Sequence, residues 1–256
     1  MSKYVHKPLE FEGLKTIPIR ARGGKVRSED FGKPFEPGAG IRSWLDALPH
    51  ILAADSFRGA IDAIVQARRK KRAILWGLGG HVIKCGLAPV LIDLMQRGYV
   101  TGFVLNGAAA IHDFEIAIAG HTSEDVEAVL PDGSFGAAEE TGREIALNGN
   151  PALLELVRKG AIGYGEALGR RLEQIADPAH ASSSLLYEAY QASTPVTVHV
   201  AVGTDTPHTH PSADGAVIGG ASHHDFRLLC SLAKDLNDGG AYLNVGSAVV
   251  LPEVFL

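Results

Sequence analysis

Four short apolar runs, each stopped by glycine or a small polar residue, restrict the folds open to this chain more than any other feature. They are Ala73-Ile74-Leu75-Trp76, Gly102-Phe103-Val104-Leu105, Val196-Thr197-Val198-His199-Val200-Ala201-Val202 and Ala241-Tyr242-Leu243-Asn244-Val245. The third is the clearest strand, because β-branched residues are rarely so dense elsewhere. Helical patterns follow the first two runs. One carries Val82, Leu87, Val90, Leu91 and Leu94 to a stop at Gly98, and the other begins with the small residues Ala108 to Ala110. A run, a glycine turn and a helix, repeated, is the alternation of parallel α/β folds. The predicted class is α/β, a Rossmann-like parallel sheet with helices on both faces.

Two stretches depart from that alternation. Residues 1–42 carry Pro8, Pro18, Pro34 and Pro37 among six glycines, which breaks any regular period and predicts an irregular N-terminal arm. Residues 43–256 are then a single α/β nucleotide-binding domain. It opens with a short helix capped by Ser43 through Leu52 and a second helix capped by Ser56, which carries Phe57, Ile61, Ile64 and Val65. The cations Arg68-Arg69-Lys70-Lys71-Arg72 at the end of that second helix read as complements to its dipole, facing water. A mainly helical insertion occupies about 120–192. Thr122 or Ser123 starts one helix, and Asn150-Pro151 starts another as cap and first residue. Gly160, Gly163, Gly165 and Gly169 weaken the latter, as a kink or as room for a neighbouring backbone. The apolar end Pro252-Glu253-Val254-Phe255-Leu256 falls where a further α/β unit would be expected, so a truncated fragment and a terminus docked on the core are equal expectations.

Composition narrows the partners. With 46% hydrophobic and 21% charged residues over 256, the chain can build a full core. A net charge of -5 gives no global drive toward nucleic acid or an anionic membrane, so a small molecule is the expected partner. Cys85 and Cys230 show no metal-ligand spacing, which speaks against a disulfide framework or structural zinc and for a reducing setting. The first residues hold no signal-peptide core, and no apolar run is long enough to span a bilayer, so a cytoplasmic address is expected.

In a parallel sheet, ligands bind beyond the carboxyl ends of the strands. The first turn, Gly77-Leu78-Gly79-Gly80, has part of a dinucleotide fingerprint, with Val82 near the place of its last small residue, and lacks a P-loop lysine. Asn106-Gly107 repeats the theme one strand over. His112-Asp113-Phe114-Glu115 follows, expected in the first helical turn, with His112 and Glu115 on one face. It reads as a proton-transfer or ribose-binding group, or as a capping Asp113 with an acidic first turn. After the third run come Asp205, His208 and His210, then Asp214-Gly215 and His223-His224-Asp225. His-x-His suits a metal, but the same histidines in a proline-bounded loop serve equally to bind substrate or carry a proton, and the metal is the lesser reading. Asp205 is expected to contact a ligand directly. Lys84 and Cys85 open the first helix, where a buried, inert Cys85 is favoured over a nucleophile. Gly246-Ser247 has no G-x-S-x-G context for a hydrolase.

In Gly79-Gly80, in residues 106–115 and in Ala213-Asp214-Gly215-Ala216-Val217-Ile218-Gly219 the chain resembles bacterial deoxyhypusine synthase-like proteins, over roughly 73–256. The resemblance implies an NAD site lined by Asn106, Gly107, Glu115, Asp214 and the turn Asn244-Val245-Gly246-Ser247. It also implies oxidation of spermidine, transfer of its aminobutyl group to a lysine, and assembly as a tetramer. Where the family carries an acidic stretch, this chain has Leu243-Asn244-Val245-Gly246-Ser247, so the implied chemistry is amine oxidation with NAD rather than deoxyhypusine synthesis as such. The pattern from Asn106 through Ala109 to His112, Asp113 and Glu115 is also similar to the ornithine cyclodeaminase domain of lysine-oxoglutarate reductase/saccharopine dehydrogenase-like proteins.

The expectation is therefore an NAD-dependent, homo-oligomeric enzyme acting on an amine. Gly77, Gly79, Gly80, Asn106, Gly107, Asp214, Gly215, Asn244, Gly246 and Ser247 would hold the cofactor, and His112, Glu115, Asp205, His208 and His210 would be catalytic. The alternatives are a metal-dependent hydrolase or lyase built on His208, His210 and Asp214, and a noncatalytic nucleotide-binding module.

Overall fold

The computed structural model describes residues 3–256 and divides into two compact units, Met1–Ala60 and Ile61–Leu256. The division falls inside a helix. In the first unit the proline- and glycine-rich arm forms only the 3-10 turns Ile19–Ala21 and Ser28–Asp30 before α1, Ile41–Ala47, and the start of α2, Leu52–Arg69. Helix α1 stops short of Pro49, whose ring disfavours helical geometry in the residue before it. Its carbonyl at Leu45, with those of Leu48 and Pro49, accepts from the Arg58 guanidinium at 2.5–2.7 Å. Neither predicted cap holds its place. Ser43 lies inside α1, and Ser56 lies inside α2, because the helix-forming Ala53-Ala54-Asp55 extends α2 upstream with Asp55 on its first turn.

The second unit is a mixed α/β fold around a four-stranded, all-parallel sheet. Strand β1 is Ile74–Leu78, β2 Gly102–Asn106, β3 Val196–His199 and β4 Ala241–Val245, in the spatial order β3-β2-β1-β4. All four predicted runs form strands, although β3 leaves the ladder at His199, before its run ends. The chain progresses outward from β1 to β3 and then returns to pair β4 on the other side of β1, so the order reverses between β1 and β4. That is the Rossmann-like arrangement, and the reversal opens a crevice at the carboxyl ends of those two strands.

Between strands run α3, Gly80–Lys84, α4, Ala88–Gln96, and α5, Gly107–Ala119. The insertion holds α6, Val126–Val129, α7, Glu139–Ile145, α8, Pro151–Arg158, α9, Tyr164–Ile175, and α10, Leu185–Gln191. Helix α11, Gly215–Ala233, leads to β4, and α12, Val250–Phe255, follows it. Period-two burial sorts the sheet's faces. Leu78, Phe103, Leu105, Val196 and Val198 meet α3, α4, α5, α9 and α10, while Leu75 and Val104 meet Leu229 of α11 and Leu251 of α12.

Other boundaries moved for local reasons. The single helix expected after β1 is two, broken at Gly86 with φ +76°, which leaves Lys84 and Cys85 at the end of α3 rather than its start. Helix α6 begins at Val126 with Asp125 as cap, not at Thr122 or Ser123. Asn150 caps α8 as expected, but Gly160 ends that helix and Gly163 caps the separate α9. Gly165 and Gly169 are the close-packing glycines of α9: a Cβ on Gly165 would lie 2.0 Å from the Val196 carbonyl oxygen, so α9 rests directly on β3. Among the described residues no helix is long and apolar enough to cross a membrane.

Candidate functional site

The strand ends converge at the rim through backbone contacts that only glycine permits. Gly79 N–H continues the ladder to the Val245 carbonyl at 2.9 Å, and a Cβ on Gly79 would lie 1.9 Å from the Gly246 oxygen. A Cβ on Gly80 would meet Ala108 at 2.9 Å and the Cδ2 of His112 at 3.2 Å. A Cβ on Gly107 would lie 1.9 Å from Oδ2 of Asp205. The turns after β4, β1 and β2 and the loop after β3 therefore touch in sequence along one edge. Asn106 caps α5 by accepting from Ala109 N–H at 2.9 Å. Asn244 donates to the Ser247 carbonyl at 2.8 Å, and the Ser247 hydroxyl accepts from Leu251 N–H at the start of α12.

Helix α5 begins directly after β2, which places His112, Asp113 and Glu115 beyond its first turn and on two different faces. Asp113 is fully buried and accepts from Ser184 Oγ at 2.6 Å and from the N–H groups of Leu185 and Leu186 at 2.8 Å. It caps α10, not its own helix. Burial pushes its carboxyl up from the ordinary value, against those three hydrogen bonds.

His112 and Glu115 face the other way. The Nδ1 of His112 lies 2.7 Å from Oγ1 of Thr122, and that hydroxyl donates to Oε2 of Glu115. Thr141 of α7 donates to the other oxygen, Oε1, at 3.0 Å. The imidazole and the carboxylate are 3.9 Å apart, each about one-fifth exposed. Burial alone would raise the Glu115 carboxyl, but the neighbouring His112 imidazole and the hydrogen bonds from Thr122 and Thr141 outweigh it and hold the group below its usual value. Glu115 is thus an ionised acceptor. Neither threonine stood out in the sequence as a site residue, and only the packing of α7 and of the loop after α5 against α5 reveals them.

Glu115 opens onto a cavity of about 770 Å³. Its charged lining is Glu115, Glu124, Glu140 and Glu144 with Arg143 and Arg171. Glu144, itself buried, takes two bonds from Arg171 at 2.7 and 2.9 Å and is paired with Arg143 at 3.3 Å. Arg143 also pairs with Glu139 at 3.1 Å. The arginine charges are consumed there. Glu115, Glu124 and Glu140 face the cavity with no lysine or arginine bound to them among the described residues.

The loop after β3 scatters its chemistry. Asp205 packs on the start of α5, and burial raises its carboxyl against the opposing pull of His208. His208 Nδ1 accepts from Gly203 N–H at 3.0 Å, and its buried Nε2 has no hydrogen-bond partner among the described residues. His210 instead docks on α7, 3.2 Å from Glu139 and against Gly142. Asp214 caps α11 through Ala216 N–H and lies 3.8 Å from Arg158 of α8, while a Cβ on Gly215 would meet Val202 of the loop after β3 at 3.8 Å. Among the described residues no three His, Cys, Asp or Glu side chains cluster as a metal site.

The rim matches a dinucleotide seat in part. The strand order reverses between β1 and β4, the turns on both sides carry no side chain at 79, 80 and 246, and Tyr242 Oη lies buried beside Gly77 with no hydrogen-bond partner among the described residues. The glycines themselves are accounted for by the chain's own packing, and Gly77 lies within β1 under the Tyr242 ring rather than in a phosphate-binding turn.

No family model matches the chain, and no curated protein matches it. Several solved structures are similar to it over most of its length. The arginine dihydrolase ArgZ of the ornithine-ammonia cycle in cyanobacteria is 17% identical with a TM-score of 0.44, over 81% of this chain and 26% of that one. A deoxyhypusine synthase-type protein from Entamoeba histolytica is 11% identical with a TM-score of 0.49, over 87% and 94%. A LOR/SDH protein from Methanococcus maripaludis S2 is 13% identical with a TM-score of 0.40, over 78% and 51%. This chain spans about a quarter of the length of ArgZ and half that of the LOR/SDH protein.

Proposed function

We propose that the protein is an NAD-dependent enzyme that oxidises an amine at the carbon bearing its nitrogen. The observation that carries this reading is the setting of Glu115. An ionised, half-buried carboxylate held by two threonines stands beside an imidazole, with a cavity on one side whose unpaired charges are all negative. Such a cavity favours a cation over an anion or neutral solute. One helical turn away, His112 lies against Gly80 at the β1–β4 crevice, where the parallel sheet offers a place for a dinucleotide.

NAD, when bound, supplies a hydride acceptor. The chain's own residues do the rest. Glu115, Glu124 and Glu140 attract the cationic amine by their charge, His112 at the rim takes the proton that must leave nitrogen before the carbon can give up hydride, and Glu115 stabilises the resulting imidazolium. Asp205 and His208 close the far end of the rim at the start of α5, and His210 steadies α7. Activity as a homo-oligomer belongs to the same reading and is measured by sedimentation.

The test is thermal unfolding. A ligand that binds only the folded chain raises its apparent stability, so millimolar NAD should raise the melting temperature, and an alkyl diamine should raise it further. A shift with zinc and none with NAD would overturn the proposal in favour of the hydrolase or lyase reading.

A further inference from the structure

The sequence offers Thr122 as a helix start and not as a site residue, yet among the described residues it is the only side chain hydrogen-bonded to both members of the His112–Glu115 pair. Its single hydroxyl proton decides which histidine nitrogen is basic. Glu115 is ionised and can only accept, so the Thr122 proton goes to Glu115, as the hydrogen bond shows. The same oxygen is 2.7 Å from His112 Nδ1 and has no second proton to give. A hydrogen bond there requires Nδ1 to be the donor. The neutral ring then carries its proton on Nδ1 and its lone pair on Nε2. Cδ2, the ring carbon bonded to Nε2, is the His112 atom nearest to where a Cβ on Gly80 would lie, at 3.2 Å, so that edge of the ring faces the β1 turn.

We infer that Thr122 is a positioning residue that fixes the tautomer of His112, leaving Nε2 as the acceptor directed toward the rim. The inference deepens the proposed amine chemistry and rests on it for its catalytic meaning. Its structural content stands without any ligand. The proton transfer it prepares is balanced. An ammonium N–H bond breaks, the proton forms a bond to Nε2, and the electron pair stays on the amine nitrogen. The imidazolium so formed keeps its Nδ1–H on Thr122, with the Glu115 carboxylate 3.9 Å from that nitrogen. Thr141 supports the arrangement from the opposite side by occupying Oε1 of Glu115, which leaves Oε2 to Thr122. The chain brings Thr122 back along α5 through Gly120, whose φ of +73° ends the helix in the left-handed region.

The experiment is nitrogen-15 NMR of the imidazole rings in the ligand-free full chain at a pH where the rings are neutral. The His112 signal among the chain's eleven histidines is assigned by its loss in His112→Gln. The wild type should show a protonated Nδ1 and an unprotonated Nε2. Thr122→Val, of similar shape without the hydroxyl, should lose that preference, and Thr122→Ser should restore it. A wild-type His112 protonated on Nε2, or a Thr122→Val variant that keeps the Nδ1–H form, would overturn the inference. If Thr122→Val does not fold, the wild-type spectrum and Thr122→Ser still decide the matter. Failure of NAD to shift the melting temperature would remove the enzyme reading and leave the tautomer result untouched.

Discussion

Asp113 and Glu115 sit two residues apart on the same helix, and the structure uses them in opposite ways. Asp113 turns inward and spends both oxygens on donors fixed in place, two of them backbone N–H groups at the start of α10. Glu115 turns outward and accepts from two threonine hydroxyls, beside an imidazole and an open cavity. Burial of a carboxylate does not by itself mark function. What differs is the partner: backbone amides of another helix lock a carboxylate into the architecture, whereas hydroxyls rotate and can exchange partners when a ligand arrives.

The comparison breaks most directly at Asp113. Asp113→Ala strands a hydroxyl and two N–H groups in the core and should cost about 3 kcal/mol, read as a lower urea midpoint at unchanged slope. A loss no larger than that of Glu115→Gln would show that the inward face is not the structural one. Gly80→Ala tests the contact between the rim and His112. Its Cβ meets Ala108 and His112 in a packed interface, for about 2 kcal/mol, and should displace the imidazole signal. An unchanged His112 spectrum would separate the ring from the β1 turn.

Asp225 sharpens the contrast from a third position. It is buried, one oxygen accepts from Gly165 and Val198 N–H at 2.8 and 2.7 Å, and the other oxygen lies 3.7 Å from Nδ1 of His224, neither of these two atoms having a hydrogen-bond partner among the described residues. Burial pushes its carboxyl up to about 7. A carboxyl raised in the folded state binds its proton more tightly there. Its contribution is therefore fully present below the unfolded value near 4 and is lost as pH rises through 7. Asp225→Asn keeps the acceptor, adds a donor toward His224 and removes the charge. It should gain on the order of 1 kcal/mol over wild type at pH 8 and nothing at pH 4. An equal difference at both pH values would contradict this. The smallest effect on stability belongs to Glu115→Gln, within about 0.5 kcal/mol, because the amide oxygen still accepts from one threonine. The same variant should abolish the melting shift produced by a diamine, and a retained shift would place the amine elsewhere.

Much of the sheet was legible because strands and turns are local. A dense β-branched run such as Val196-Thr197-Val198 announces a strand, and a small residue after it announces a turn. Helix starts were less legible. Ser43, Ser56 and Thr122 are all good caps, yet each was outbid by neighbours: Ala53-Ala54-Asp55 extended α2, and Asp125 capped α6. The site was half legible. His112 and Glu115 share a face by spacing alone, whereas Asp113 between them reaches α10 more than seventy residues on. His208 and His210, two apart in the chain, turned to different partners because the 3-10 turn Thr206–Thr209 rotates them away from each other.

The linear order of residues determined four parallel strands, glycine turns at their ends and an imidazole–carboxylate pair on α5, since each depends on neighbours within a few positions. Only the tertiary structure decided that those glycines serve contacts between turns, that Thr122 and Thr141 hold Glu115, and that the arginines near it are already paired. Those facts depend on which distant segments pack together. Thr141 and Glu115, 26 residues apart, meet through the packing of α7 on α5, which no local periodicity records.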